Sequence, residues 1–164
     1  MCLLWLAACD VSADQIKVVD GDSLVVDGQM TRLVGIDSPE YTQKCKTAEG
    51  KKYACGLEAK AFMEDLIAQG FERGDTINCE VQGKDKYKRD LAVCFMGEVN
   101  LNEQMVANGH AVAYMHPWYE SAQARAKEQK LGIWQGKFMR PEFYRILQKH
   151  RKQKQKSKNN RNSY

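Results

Sequence analysis

The sequence predicts a mainly β protein with packed helices: a five-stranded β-barrel of the oligonucleotide-binding type (OB-fold) carrying three helices. Two observations carry that prediction. Three short β-prone stretches punctuated by turn dipeptides precede a stretch of helical apolar period, and two further strands are followed by two further helical stretches. Size narrows the alternatives. A chain of 164 residues with 43% hydrophobic and 28% charged side chains forms one domain with appendages. A mean hydropathy of -0.59 with that composition excludes both a polytopic membrane chain and a wholly disordered one.

The elements follow in order. Ile16, Val18 and Val19 mark a first strand over residues 15–19, which turns at Asp20-Gly21. Residues 23–26 are β-prone again, and Asp27-Gly28 is a strong hairpin signal. The returning strand covers 30–36 and stops at Asp37-Ser38-Pro39-Glu40, because Pro39 lacks an N–H to continue a ladder. Residues 41–54 are polar and Lys-rich without an apolar period, which predicts an exposed loop. Leu57, Ala61, Phe62, Leu66 and Ile67 recur at helical spacing over 56–69, with Gly70 placed to end that helix. Residues 75–82 and 89–95 read as two strands around the polar turn 83–88. Asn100, with Glu103 three residues on, caps a second helix whose stripe is Leu101, Met105 and Val106 and whose end is Asn108-Gly109. A third helix spans 119–131, with Gly132 after it and Ile133 and Trp134 packing back.

The two ends differ from this body, which is taken as residues 15–140. Residues 1–9 are apolar apart from two thiols and close on Leu6-Ala7-Ala8-Cys9, which resembles a bacterial lipobox whose Cys9 is lipidated. The alternative is a hydrophobic N-terminus with an incidental cysteine. Residues 145–164 hold eight Lys or Arg and no acid, which leaves 17 basic and 21 acidic side chains elsewhere. Such a tail is expected to stay unfolded and to attract polyanions, either nucleic acid or an anionic membrane surface, or simply to be solvated.

Setting aside Cys2 and Cys9, the cysteines are Cys45, Cys55, Cys79 and Cys94, an even number suited to an oxidising compartment. Cys79 and Cys94 flank a hairpin and Cys45 and Cys55 bracket one loop, so local pairing is expected: Cys45 with Cys55 and Cys79 with Cys94. Zinc is the rival, but no short Cys-x-x-Cys or His spacing supports it.

The chemistry concentrates in two places. The turn Asp20-Gly21-Asp22-Ser23 and the segment Asp37-Ser38-Pro39-Glu40 lie on opposite arms of one antiparallel return, so Asp22 and Asp37 are brought toward the same end. Two carboxylates and a main-chain carbonyl would form a hard oxygen site suited to calcium or magnesium. Each such acid alone is more often just solvated. The second place is Asp85-Lys86-Tyr87-Lys88-Arg89, with Arg32 on the returning strand between the two.

In that order these segments resemble the staphylococcal nuclease, or thermonuclease, family, whose pattern is Asp-Gly-Asp-Thr, an Arg, Asp-Thr-Pro-Glu or Asp-Ala-Pro-Glu, and Asp-x-Tyr-Gly-Arg. The resemblance covers roughly residues 15–134 and looks like an exported bacterial branch. It implies Asp22, Asp37 and the carbonyl of Ser38 as calcium ligands and Glu40 as the base that activates water. It further implies Arg32 and Arg89 on the scissile phosphate, and Lys86 and Tyr87 beside the bound nucleotide. A cation and two guanidiniums would admit the anionic diester and stabilise its transition state. Ser23 and Ser38 stand where Thr is commoner. Lys88 replaces the usual Gly, and if that position needs positive φ, a side chain is strained there and the aim of Arg89 is affected.

The implied function is a calcium-dependent endonuclease that hydrolyses DNA and RNA with little sequence preference and leaves 3′-phosphate ends. Single-stranded DNA, RNA and duplex DNA are its expected substrates, acted on by a monomer that is periplasmic, membrane-anchored through Cys9, or secreted. The competing class is a non-catalytic nucleic-acid- or protein-binding module of the same fold. Asp22, Arg32, Asp37, Glu40 and Arg89 are all present, and a binding module would have no reason to keep the set. His110, His116 and His150 suggest no acid–base pair, and Tyr114, Trp118 and Tyr119 either stack on bases or pack against the third helix.

Overall fold

The computed structural model describes residues 15–161. The lipobox and Cys9 lie outside the described residues. Ten strands and four α-helices follow in chain order: β1 Ile16–Asp20, β2 Ser23–Val26, β3 Gln29–Leu33, β4 Ile36–Asp37, β5 Cys45–Lys46, β6 Lys52–Tyr53, α1 Cys55–Glu72, β7 Ile77–Lys84, β8 Asp90–Met96, β9 Val99–Asn100, α2 Leu101–Ala107, β10 Val112–Ala113, α3 Glu120–Glu128 and α4 Pro141–Arg161. The main sheet has the order β1-β2-β3-β8-β7, with β9 added beside β8. Its pairs are antiparallel except β3 with β8, where the chain returns parallel after the α1 crossover. This curled five-strand path with helices packed on it is the expected OB-type architecture.

The sequence-based strand over 30–36 divides in two. Gly35 has φ +76°, the chain bends, and β4 leaves the main sheet to pair with β10. That change of partner turns Ile36 and Asp37 inward, and both are buried. The first helix runs through Gly70 to Glu72 instead of ending there, because Gly70 is the point where α1 touches Met96. The third helix is shorter than expected at both ends: Tyr119 belongs to a separate 3-10 turn, Pro117–Tyr119, and α3 stops at Glu128, with Gln129 as its C-cap and Lys130 at φ +55°.

Two expectations need larger correction. Residues 41–54 are not a featureless exposed loop: β5 and β6 pair within them, and Cys45 and Gln43 are each only 1% exposed. The basic stretch 145–164, expected to stay unfolded, is helical as far as residue 161, where the described residues end, since it continues the fourth helix, α4. Pro141 starts that helix with its ring buried, where a missing N–H costs nothing, and Lys, Gln and Arg continue it with good helix propensity.

Both disulfides join the expected partners, Cys45 with Cys55 and Cys79 with Cys94. By restricting the unfolded chain over short loops, each contributes about 3 kcal/mol. The core centres on one large cluster. Val18, Leu24 and Leu33 from the sheet meet Ala59, Met63 and Ile67 of α1 and Leu101, Met105 and Val106 of α2. A satellite cluster gathers Ile133 and Val112 around the Cys45–Cys55 bridge, with Trp134 against it as expected. No helix among the described residues is long and apolar enough to cross a membrane.

One polar side chain locks this arrangement. Asn102, on α2 and fully buried, accepts from the Cys94 N–H at 3.0 Å and donates to the carbonyls of Val34 at 2.9 Å and Ala92 at 3.2 Å. It thereby holds α2 against the seam of β3 and β8. Asn102→Ala leaves those groups unpaired in the core and should lower stability by about 2–4 kcal/mol in chemical denaturation.

His110 offers a second test. Its ring stacks on Phe62 with centroids 4.3 Å apart, and burial lowers its pKa from 6.5 to about 4. A depressed histidine pKa favours the neutral form in the folded state. Its stability is therefore present above the unfolded pKa and is lost as pH falls from 6.5 toward about 4. Going from about pH 7 to about pH 5 should remove about 2 kcal/mol through this group. In His110→Phe the same pH change should cost correspondingly less, as read by urea denaturation at both pH values.

Candidate active site

Three segments converge at one end of the barrel. Asp22 lies in the tight turn between β1 and β2, and Ser23 pairs directly with Arg32 across the β2–β3 ladder. This register sets Arg32 beside Asp22. Gly21 is required in that turn, because a Cβ there would lie 2.1 Å from the Ser38 hydroxyl. Without a side chain the turn can rest on the segment after β4. The Ser38 N–H then donates to Asp22 Oδ2 at 2.7 Å, and the Ser38 hydroxyl donates to the His110 carbonyl at 2.9 Å.

Arg32 joins the two acids. Its Nη1 pairs with Asp22 Oδ1, and its Nη2 lies 2.9 Å from Asp37 Oδ1. Asp22 is 2% exposed and Asp37 1%, so both carboxylates sit away from water. Burial pushes the Asp22 carboxyl up, against the opposing pull of Arg32 and the Ser38 N–H. Burial works against the charge on Arg32 too, yet Asp22 and Asp37 hold its pKa above the ordinary value.

Glu40 is reached by a different route. Gln43 donates its N–H to the Glu40 carbonyl at 2.7 Å and accepts from the Glu40 N–H at 3.3 Å. Gly56 at the start of α1 presses on the same backbone, where a Cβ would fall 1.9 Å from the Glu40 carbonyl oxygen. The Glu40 side chain meets Arg145 of α4, whose Nη1 lies 2.9 Å from Glu40 Oε1 and 2.8 Å from Asp37 Oδ1. Its Nη2 donates to Asp37 Oδ2 at 3.1 Å. Partial burial disfavours the Arg145 charge, but the two carboxylates raise its pKa well above normal.

The turn between β7 and β8 supplies the remaining cations. Asp85 accepts from the backbone N–H groups of Tyr87 and Arg89 and from Arg89 Nε at 2.8 Å. Slight desolvation raises the Asp85 pKa, and these bonds outweigh it and lower the net value. Lys88 does occupy the left-handed region, at φ +63°, where a glycine would be unstrained. Arg89 is nonetheless aimed by its bond to Asp85. Tyr87 is 69% exposed, with Lys86 Nζ 5.1 Å and the Arg89 guanidinium 5.7 Å from its ring centroid.

Arg32, Glu40, Lys86, Tyr87, Arg89 and Arg145 line one open cavity of about 900 Å³, with Tyr114 and Met115 on its far wall. Asp22, Asp37 and Ser38 lie behind it. A family model described as "Staphylococcal nuclease homologue" matches residues 30–136. The chain belongs to the staphylococcal nuclease family. Among its relatives in this family, the thermonuclease of Staphylococcus hyicus is 34% identical over 73% of each chain. An uncharacterised endonuclease of Haemophilus influenzae is 33% identical over 79% of this chain and 71% of its own. The succinoglycan biosynthesis protein ExoI of Rhizobium meliloti is 31% identical over 73% of this chain, which spans 63% of the length of that relative.

The structure brings the residues singled out from the staphylococcal nuclease pattern to one place: Asp22, Asp37 and Ser38 are buried, and Arg32, Glu40, Lys86, Tyr87 and Arg89 line the cavity in front of them. Sequence reasoning missed Gln43 and Arg145. Gln43 sat in an apparently featureless loop, and Arg145 was counted with a tail beyond the site. The only available signal for Arg145 was the Pro141-Glu142 helix start just before it. Tyr119 packs in the core at 5% exposure, whereas Trp118 stacks on His116 at the surface.

The donor chemistry suits a hard cation. Among the described residues no three His, Cys, Asp or Glu side chains converge as a metal cluster. The protein's share would therefore be the two carboxylates of Asp22 and Asp37 with a main-chain oxygen of Ser38, an all-oxygen set. A positive group already binds there, since the Arg145 guanidinium spans Asp37 and Glu40.

Proposed function

We propose that this chain is a calcium-dependent nuclease that hydrolyses DNA and RNA with little sequence preference and leaves 3′-phosphate ends. One observation carries the reading: a single cavity is lined by Arg32, Arg89, Arg145 and Glu40, in front of the buried Asp22 and Asp37. Named relatives, a thermonuclease and an endonuclease, support it. Arg32 and Arg89 bind the non-bridging oxygens of the scissile phosphate, where planar guanidiniums match the diester better than ammonium groups. Glu40 takes a proton from the attacking water. The new bond forms from that water oxygen to phosphorus, the bond to the 5′ oxygen breaks, and that oxygen regains a proton from solvent. Arg32 and Arg89 stabilise the charge that grows on the phosphoryl oxygens as this happens. A calcium ion held by Asp22, Asp37 and the Ser38 carbonyl supplies further electrostatic stabilisation when bound. Arg145 must release Asp37 and Glu40 for these roles. Lys86 and Tyr87 lie beside the nucleotide.

The reading also places the protein outside the cytoplasm, in the periplasm, on a membrane through Cys9, or secreted. Two disulfides closing short loops support an oxidising compartment.

Glu40→Gln keeps the shape and removes the base, so turnover on single-stranded DNA should fall by about 10²-fold or more while nucleotide binding persists. Magnesium should replace calcium poorly, because two carboxylates and one carbonyl on loop ends do not impose the strict octahedron that magnesium demands. Steady-state rates with each cation, for the wild type and for Glu40→Gln, test both statements. Equal rates with magnesium, or near-normal turnover of Glu40→Gln, would refute the assignments.

A further inference from the structure

Beyond Arg145, helix α4 carries cations that the proposed chemistry does not use. Lys149, Lys152 and Lys156 follow Arg145 at spacings of four, three and four residues, which places all four on one helix face. The face is open. Arg145, Lys149, Lys152 and Lys156 line a groove of about 630 Å³ whose other side includes Glu40 and Thr42. None of the three lysines pairs with a carboxylate among the described residues, in contrast to Lys60, Lys84 and Arg73 elsewhere.

This groove is continuous with the active-site cavity, because Glu40 and Arg145 line both. The base of the helix is fixed at that junction. Tyr144 Oη lies 3.3 Å from Thr42 Oγ1 and donates to the Thr42 carbonyl at 3.2 Å, while Gln43 Nε2 donates to the Met139 carbonyl at 2.6 Å. From that anchor the stripe runs about 16 Å along the helix axis, enough to meet several phosphates of one strand.

Resting on the nuclease reading, we infer that the α4 stripe is a phosphate-binding track for the strand that flanks the scissile bond, independent of base sequence. A row of uncompensated ammonium groups is complementary to a sugar–phosphate backbone and carries no element that reads base edges. The same row does not suit a bilayer. The apolar side chains of α4, Phe143, Ile146 and Leu147 among them, are confined to its first turns, and from Gln148 to Arg161 the sequence holds none, so the segment that carries the three lysines lacks the apolar face by which a helix lies in a membrane surface. Arg145 heads the track. In the free protein it rests on Asp37 and Glu40, and a bound strand offers its guanidinium phosphate oxygens in their place.

The test uses the full chain with Lys149, Lys152 and Lys156 all replaced by Gln, and a second variant with all three replaced by Arg. Arg145 is left intact. Affinity for a labelled oligothymidylate of about twenty nucleotides is measured in EDTA across a salt series, and the slope of log affinity against log salt should be shallower by about two for the Gln variant. The Arg variant should keep the wild-type slope. Hydrolysis of a dinucleotide substrate with calcium should stay within about twofold of wild type in both, since that substrate does not reach the stripe. Circular dichroism confirms that α4 remains helical. An unchanged slope in the Gln variant would overturn the inference. So would loss of binding to phosphatidylglycerol vesicles with the oligonucleotide slope unaltered, which would make the stripe a membrane contact. A wild-type protein that cleaved neither substrate would refute the nuclease reading instead, and the slope would still decide the track.

Discussion

The guanidinium of Arg32 between the carboxylates of Asp22 and Asp37 is the constraint on which the rest of this molecule depends. Removing a carboxylate from water costs several kcal/mol unless its charge is met by a partner of good geometry, and here two acids are removed side by side. Arg32 meets both, the Ser38 N–H satisfies a further oxygen of Asp22, and Arg145 takes the outer oxygens of Asp37. One guanidinium would leave the pair of acids and Glu40 short of positive charge. The second comes from a helix more than a hundred residues away in sequence.

Much of the fold can be understood as the means of holding that cluster. The β2–β3 register puts Arg32 opposite Ser23 and hence next to Asp22. The break after β3 lets β4 leave for β10, which sends Asp37 inward, and Asn102 fixes α2 over the seam where this happens. Gly21 and Gly56 are bare where backbone must touch backbone or hydroxyl, one under Asp22 and the other under Glu40. The outer cations, by contrast, ride on the β7–β8 turn, which Asp85 organises from within. An interior that fixes acids and a rim that presents cations is a sound arrangement for admitting an anionic diester.

The sheet was legible in the sequence because its turns announce themselves: Asp20-Gly21 and Asp27-Gly28 bound strands whose alternation is clear, and Asn100 with Glu103 marks α2 by a real cap, the Asn100 side chain accepting from the Glu103 N–H. The disulfides were legible because one hairpin and one loop favour local pairing among the three possible connectivities. The convergence of Asp22 and Asp37 followed from the antiparallel return. What escaped was tertiary. Gln43 carries no local signal of burial, since a polar residue in a Lys-rich stretch reads as solvent-facing. Helix α4 reads as an unfolded polyelectrolyte because it has no apolar side chain past Leu147. Its first turn is secured by Tyr144 and Arg145 contacting residues 37–42, and no periodicity within the helix encodes contacts of that range.

The central claim is that Asp22 and Asp37 form a cation site that Arg145 guards in the free protein. Calorimetric titration of calcium into the wild type, Asp37→Asn and Arg145→Gln tests it most directly. The account predicts one saturable calcium site per chain, at least about tenfold weaker in Asp37→Asn and tighter than wild type in Arg145→Gln, where no guanidinium has to be displaced. A wild type without a saturable site, or an Asp37→Asn variant that binds calcium as well as the wild type, would contradict it.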